Sequence, residues 1–171
     1  MGFSITSNQA LRSLYGAYRE YSKSSNRENV DPQTLSKADS TALKRAIKKL
    51  QNSVYDEKTD LTDTSGKALE YRENLKAFID TYNLTLESSN KHNDRSLKRA
   101  VKQMKELTEK YKNDLDSLGI TYDSDGFMKL NPNTSVKKTK PYEALFGPKA
   151  DFMNDLGKIP NRIYRHINIV I

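Results

Sequence analysis

The stretch 107–147, LTEKYKNDLDSLGITYDSDGFMKLNPNTSVKKTKPYEALFG, is where a long charged helix stops, turns through a small hairpin and starts again. On its upstream side Leu97, Val101, Met104, Leu107, Tyr111, Leu115 and Leu118 recur every three or four residues, lining one face of a helix from about Asp94 to Leu118. Gly119 ends that helix, because glycine takes the left-handed cap conformation without steric cost. Two β-prone runs follow, Ile120-Thr121-Tyr122 and Phe127-Met128-Lys129-Leu130, and between them Asp123-Ser124-Asp125-Gly126 is turn chemistry. The pattern predicts a hairpin over Ile120 to Leu130. Asn131-Pro132-Asn133-Thr134 is a second turn, expected to seat a new helix start near Thr134 or Ser135.

Working outward, Ala68, Tyr71, Leu75, Phe78 and Tyr82 alternate spacings of three and four, the heptad seam of a helix from about Ser65 to Ser89. The polar joint Ser88 to Asp94 is short, so this helix and the next are expected to fold back antiparallel. Each arm of about 25 residues would be ~37 Å long at ~1.5 Å per residue. Before this pair, Leu35, Ala38, Ala42, Leu43, Ala46, Ile47, Leu50 and Val54 mark a helix from about Thr34 to Val54, with Lys44, Arg45, Lys48 and Lys49 on its outer side. A first helix, to about Ser22, carries Leu11, Leu14, Tyr15 and Tyr18, and Lys23 to Gln33 reads as a linker. Asp56 to Gly66 is a break in which Leu61 is placed to act as a hydrophobic staple.

Downstream, Phe152, Met153 and Leu156 indicate a short helix ending at Gly157, and Pro160 begins another turn or helix bearing Ile163, Tyr164 and Ile167. Ile167, Ile169 and Ile171 alternate, which reads as a strand or apolar tail that closes the bundle if buried and meets a partner if exposed. The expected fold is therefore mainly α: an elongated antiparallel helical bundle on a coiled-coil hairpin, with one small β-hairpin. Three segments are expected: packing helices over 1–64, the coiled-coil pair with its β-hairpin over 65–147, and short helices or a tail over 148–171.

Composition fits a bundle with a narrow core: of 171 residues, 35% are hydrophobic and 30% charged, with a mean hydropathy of -0.84. No apolar run approaches the ~18 residues that cross a bilayer, and the opening MGFSITSNQALRS lacks the basic start and apolar stretch of a cleavable secretion signal. A protein without a membrane span is expected. Cysteine is absent, which excludes disulfides and thiolate metal sites. The net charge of +7 and pI near 9.4 raise anionic partners as candidates.

Little in the chain carries catalytic chemistry. Asp123-Ser124-Asp125-Gly126 lacks the further ligands, central glycine and terminal glutamate of a calcium loop, so a turn accounts for it. His92 and His166 have no second metal-ligating residue at helical spacing and read as solvated loop and helix-end residues. Asp114 and Asp116 sit beside Lys110 and Lys112, where i,i+4 ion pairing explains them. Glycine-rich phosphate loops, nucleophile elbows and HExxH are all missing, so neither an enzyme nor a cofactor is expected. Lys91, Arg95, Lys98, Lys102 and Lys105 form a positive stripe at spacings of four, three, four and three. Such a stripe either faces solvent or follows a phosphate backbone.

Four motifs in order carry a resemblance: Phe78-Ile79-x-x-Tyr82-Asn83, then Leu115-x-x-Leu118-Gly119-Ile120, then Asp125-Gly126-x-Met128-x-Leu130, then Leu145-Phe146-Gly147. Their order resembles the C-terminal helical region of the flagellar filament cap and hook-associated protein family, over about half the chain from Leu69 to Leu156. The opening Ile5-Thr6-Ser7-Asn8 is similar to the start of flagellins and hook-junction proteins. Filament caps carry large β-rich inserted domains for which 171 residues leave no room, so an ordinary cap subunit is not expected. Asn131-Pro132 also replaces the family's acidic residue after the second hydrophobic.

The resemblance implies a bacterial structural or assembly protein that works through coiled-coil contacts, leaves the cell by flagellar export, and has flagellar axial proteins or itself as partner. Under that reading the contact residues are Tyr71, Leu75, Phe78, Tyr82, Leu118, Gly119, Ile120, Asp125, Gly126, Leu130, Leu145, Phe146, Ile167, Ile169 and Ile171. The competing expectation is a cytoplasmic, basic helical nucleic-acid-binding protein using the Lys91 to Lys105 stripe with Lys44, Arg45, Lys48 and Lys49. Only that reading demands binding that weakens steeply with salt.

Overall fold

Asp31 sets the first described helix: its carboxylate accepts the Thr34 N–H at 3.0 Å, and Pro32 occupies the first turn, where its missing N–H costs nothing. A computed structural model of the chain describes residues 27–64, 66–131 and 136–169, so the predicted first helix lies outside the described residues. In order come α1 (Pro32–Gln51), α2 (Gly66–Asn90), α3 (Arg95–Lys110), α4 (Lys112–Ser117), β1 (Ile120–Tyr122), β2 (Met128–Leu130), a 3-10 turn (Lys140–Tyr142), α5 (Glu143–Phe146) and α6 (Asp151–Ile169). The protein is mainly helical with one two-stranded antiparallel sheet, and its helices pack as a bundle.

α2 is the central element. Its Tyr71, Leu75, Phe78, Ile79, Tyr82 and Leu86 are all buried, and so are Asn74, Thr85, Ser88 and Ser89. A helix buried on so broad a face needs neighbours on several sides. α1 packs along one side of α2, α3 folds back on another, and β2 leans on it at Asn83. α6 closes the arrangement by packing against both α1 and α3. One continuous apolar core runs from Leu43 on α1 to Ile167 on α6.

The hairpin is seated where the sequence placed it, with Ile120 opposite Leu130 and Tyr122 opposite Met128. Gly119 (φ 75°) and Gly126 (φ 86°) hold left-handed backbone at its two ends, a region L side chains enter only with strain. Asp123 locks the turn by accepting the N–H groups of Asp125 and Phe127, each at 3.0 Å. Those bonds hold its carboxyl below the usual aspartate range.

Elsewhere the structure departs from the pattern-based expectations. The long helix into Gly119 is interrupted at Tyr111, whose ring turns edge-on to Phe152 with centroids 5.3 Å apart. α6 runs unbroken through Gly157 and Pro160, so neither a stop nor a restart occurs there. Phe152, Met153, Leu156, Ile159, Ile163 and Ile167 keep helical spacing across the proline and are all buried, and that continuous packed face outweighs one lost backbone bond. The alternation of Ile167 and Ile169 accordingly does not mark a strand, because the helix extends to Ile169; Ile171 lies outside the described residues. The expected start near Thr134 or Ser135 falls outside the described residues; among the described ones helical backbone begins again at Lys140. Ahead of it Lys138 bridges to Asp60, and the Leu61 N–H donates to the Lys137 carbonyl at 2.5 Å, so the α1–α2 connection is tied down by this segment.

The two histidines are not simply solvated, as the sequence suggested. His92 Nε2 lies 3.1 Å from the hydroxyl of buried Ser36, and His166 Nε2 lies 3.0 Å from Asp94 Oδ1. Asp94 also caps α3, accepting the Ser96 and Leu97 N–H groups at 2.7 and 3.1 Å. One carboxylate thus fastens the start of α3 to the end of α6.

The α3 cap bonds, with His166 beside them, hold the Asp94 carboxyl below its ordinary range. A lowered folded pKa adds stability that is complete above the unfolded aspartate value and is lost as pH falls through the folded value. Asp94→Ala is expected to cost about 0.5–2 kcal/mol at neutral pH. The gap from the parent chain should close as urea unfolding is repeated at successively lower pH; a gap independent of pH would contradict the cap.

Candidate interaction site

The four motifs that carry the resemblance meet in one place. Asn83, at the end of the first, uses both halves of its amide on β2: Nδ2 donates to the Met128 carbonyl at 2.9 Å, and Oδ1 accepts the Met128 N–H at 2.8 Å. This satisfies both backbone groups of a residue that is itself buried, and it fixes the height of the hairpin on α2. The second motif is tied in by Tyr142, whose hydroxyl donates to the Leu118 carbonyl at 3.1 Å. The fourth closes the knot through Phe146, whose ring meets Phe78 at 5.6 Å in an edge contact.

Aromatic packing extends along the same line. Tyr71 lies 5.5 Å from Tyr142, Tyr142 stacks on Phe146 at 6.1 Å, and Phe146 meets Phe152 of α6. Tyr55 sits edge-on to Tyr71, its hydroxyl 2.5 Å from the Leu50 carbonyl and 3.0 Å from that of Phe146. Burial pushes the Tyr82 hydroxyl up to about 12, and raises those of Tyr55 and Tyr71 further, so all three stay protonated over the ordinary pH range. The Tyr71 hydroxyl finds no hydrogen-bond partner among the described residues. Gly147 lets the chain turn against the Glu143 carbonyl so closely that a Cβ there would collide with backbone.

The proposed contact residues therefore occupy distinct places. Tyr71, Leu75, Phe78, Tyr82, Leu118, Ile120, Leu145, Phe146 and Ile167 are buried in the chain's own core, and Gly119 and Gly126 shape the hairpin ends. Asp125 is exposed on the turn, and Leu130 is 38% exposed. Ile169 ends α6. A pocket of about 380 Å³ opens beside the knot, lined by Leu61, Tyr71, Arg72, Leu75, Leu130 and Val136 among others. Its one arginine is engaged: Arg72 donates to the Leu61 and Asp63 carbonyls, both at 2.8 Å.

The Lys91 to Lys105 stripe is largely occupied. Lys91 pairs with Glu87 at 2.8 Å, Lys102 with Glu106 at 3.5 Å, and Lys98 donates to Asn93 at 3.3 Å. The Lys105 stem lies over the hairpin turn at Gly126, and Arg95 is exposed. Lys44, Arg45, Lys48 and Lys49 are all exposed on α1. Sequence reasoning left Lys37, Lys158, Arg162 and Arg165 out of its basic set, and the tail, read as separate short pieces, was not set beside the helix bearing Lys37.

No protein-family model, curated protein or solved structure matches the chain.

Asn83→Ala strips both partners from buried Met128 and is expected to lower unfolding stability by about 2–4 kcal/mol, with Asn83→Asp intermediate because it keeps the acceptor. Denaturant titration of the three proteins checks this; a loss under about 0.5 kcal/mol for the alanine variant would show that the clamp contributes little.

Proposed function

We propose that this chain is a small flagellar-type structural or assembly protein that acts through helical protein–protein contacts and not through turnover. The observation that carries the reading is the convergence of its motifs. Four short sequences, spread from Phe78 to Gly147, were picked out for their residues and order, and they touch one another: the first holds the third through Asn83 and Met128, the second pairs with the third as Ile120 opposite Leu130, and the first meets the fourth through Phe78 and Phe146. Such convergence is what a shared folding unit would show.

In this reading the seam of α2 is consumed inside the chain, since Tyr71, Leu75, Phe78 and Tyr82 are buried there. Contacts with a partner fall to the two ends: the N-terminal segment with Leu11, Leu14, Tyr15 and Tyr18, and the last residues to Ile171. An amphipathic helix offered to a groove or to a second copy is the recognition mode this favours. The partner is either the chain itself or a flagellar axial protein.

Light-scattering mass of the full chain, and of a version lacking residues 1–26 and 168–171, tests this together with mixing against filament-cap and hook-junction proteins. Self-association or axial-protein binding that disappears with the ends is expected. A monomer that binds none of them, in a strain whose motility survives deletion of the gene, contradicts the proposal.

A further inference from the structure

α1 and α6 lie antiparallel, and the seam between them has a pronounced charge pattern. Lys37 Nζ sits 5.3 Å from the Tyr164 ring centre, the Ile47 methyl faces Gly157, and Gln51 donates to Asn154 at 3.3 Å. Residues spaced by three, four or seven share a helix face. One rim of the seam is thus the row Lys37, Lys44, Lys48 and Gln51 on α1, and the other is Arg165, Asn161, Lys158 and Asn154 on α6. Gly157, with no side chain, lets α6 pack closely against Ile47 of α1 between the rims.

Negative charge is nearly absent from this surface among the described residues. The single acid of α1, Asp39, is buried and held by both guanidinium nitrogens of Arg27, at 2.9 and 2.7 Å. On α6 the acids are Asp151 and Asp155 near its N-terminal end, and Asp155 is taken by Lys158 at 2.7 Å. Lys44, Lys48 and Arg165 make no ion pair among the described residues, unlike Lys91 and Lys102 of the α3 side. Tyr164 is 40% exposed beside these cations, a flat ring of the kind on which bases stack.

We propose that the α1–α6 seam binds single-stranded nucleic acid, the phosphates running between the two rims and a base stacking on Tyr164. Charge and shape choose this occupant. The cations lie in two rows, Lys37 to Lys48 spanning about 16 Å and Lys158 to Arg165 about 10 Å at ~1.5 Å per residue, a track for a backbone and not a point site. A membrane surface would need apolar anchors to enter it, and the other large exposed apolar residues, Val30, Val54, Leu69 and Leu130, are absent from both rims. This inference rests on the seam's cations and the exposed Tyr164 ring and is independent of the flagellar reading.

Fluorescence anisotropy of the full chain with a labelled oligothymidylate tests it, alongside a duplex of equal length and anionic phospholipid vesicles. The logarithm of the binding constant is expected to fall against the logarithm of salt concentration with a slope of about -2 to -3, for three or four neutralised phosphates. The triple change Lys44→Glu, Lys48→Glu, Arg165→Glu should weaken binding at least ~10-fold and flatten that slope, with helicity by circular dichroism unchanged. Tyr164→Ala should weaken it roughly 5- to 100-fold and Tyr164→Phe hardly at all. Lys98→Glu with Lys102→Glu, on the opposite flank of α3, should cost much less than the triple change. Equal binding by the triple variant, equal loss from the Lys98 and Lys102 pair, or tighter binding to the duplex or the vesicles would each overturn the assignment.

Discussion

The two-way hydrogen bond between the Asn83 amide and the Met128 backbone is the constraint on which the rest of the arrangement depends. A two-stranded sheet of three residues per strand is marginal by itself in water. Here its inner residues, Ile120 and Met128, are buried in the helical core, and Asn83 fixes which residues point inward. A slip of one residue would turn Met128 outward and bring Lys129 in. With the hairpin pinned, the chain leaving it is directed back so that the Tyr142 and Phe146 rings land on Tyr71 and Phe78 of α2.

That aromatic line then determines where α6 lies. Phe146 meets Phe152 in an edge contact, and from there the apolar face of α6 follows the groove between α1 and α3 as far as Ile167. The two ends of this helix are tied differently: Gln51 of α1 reaches Asn154 near its start, while Asp94 of α3 reaches His166 near its end. The same docking brings Lys158 and Arg165 alongside the α1 lysines. The basic seam is thus a product of tertiary packing and is not present on either helix alone.

Much of this was legible in the sequence because period and turn chemistry are local. The faces of α1, α2 and α3 follow from spacings of three and four, and the hairpin follows from Gly119, Asp123 and Gly126. What failed were places where a local signal competes with packing. Pro160 and Gly157 are helix breakers by propensity, yet the buried row through Ile159 and Ile163 carries the helix past them. His92 and His166 looked solvated because Ser36 and Asp94 are brought to them only by the fold. The Lys91 to Lys105 stripe was visible as a spacing, but not that Glu87, Asn93 and Glu106 would take up three of its members. The Asn83 clamp was also missed; its residue lay in a quoted motif, but a side-chain amide gives no sign of its partner 45 positions away.

The central claim is that the motif-bearing segments form one cooperative unit with α2 as its axis. Native-state amide hydrogen exchange tests it most directly. The account predicts that the Met128 N–H, held by a side chain of α2, exchanges only through the same opening that releases the middle of α2, with matching free energies and matching denaturant dependence. If Met128 instead exchanges through a local opening several kcal/mol below that of the α2 amides, the hairpin is an independent appendage and the claim fails.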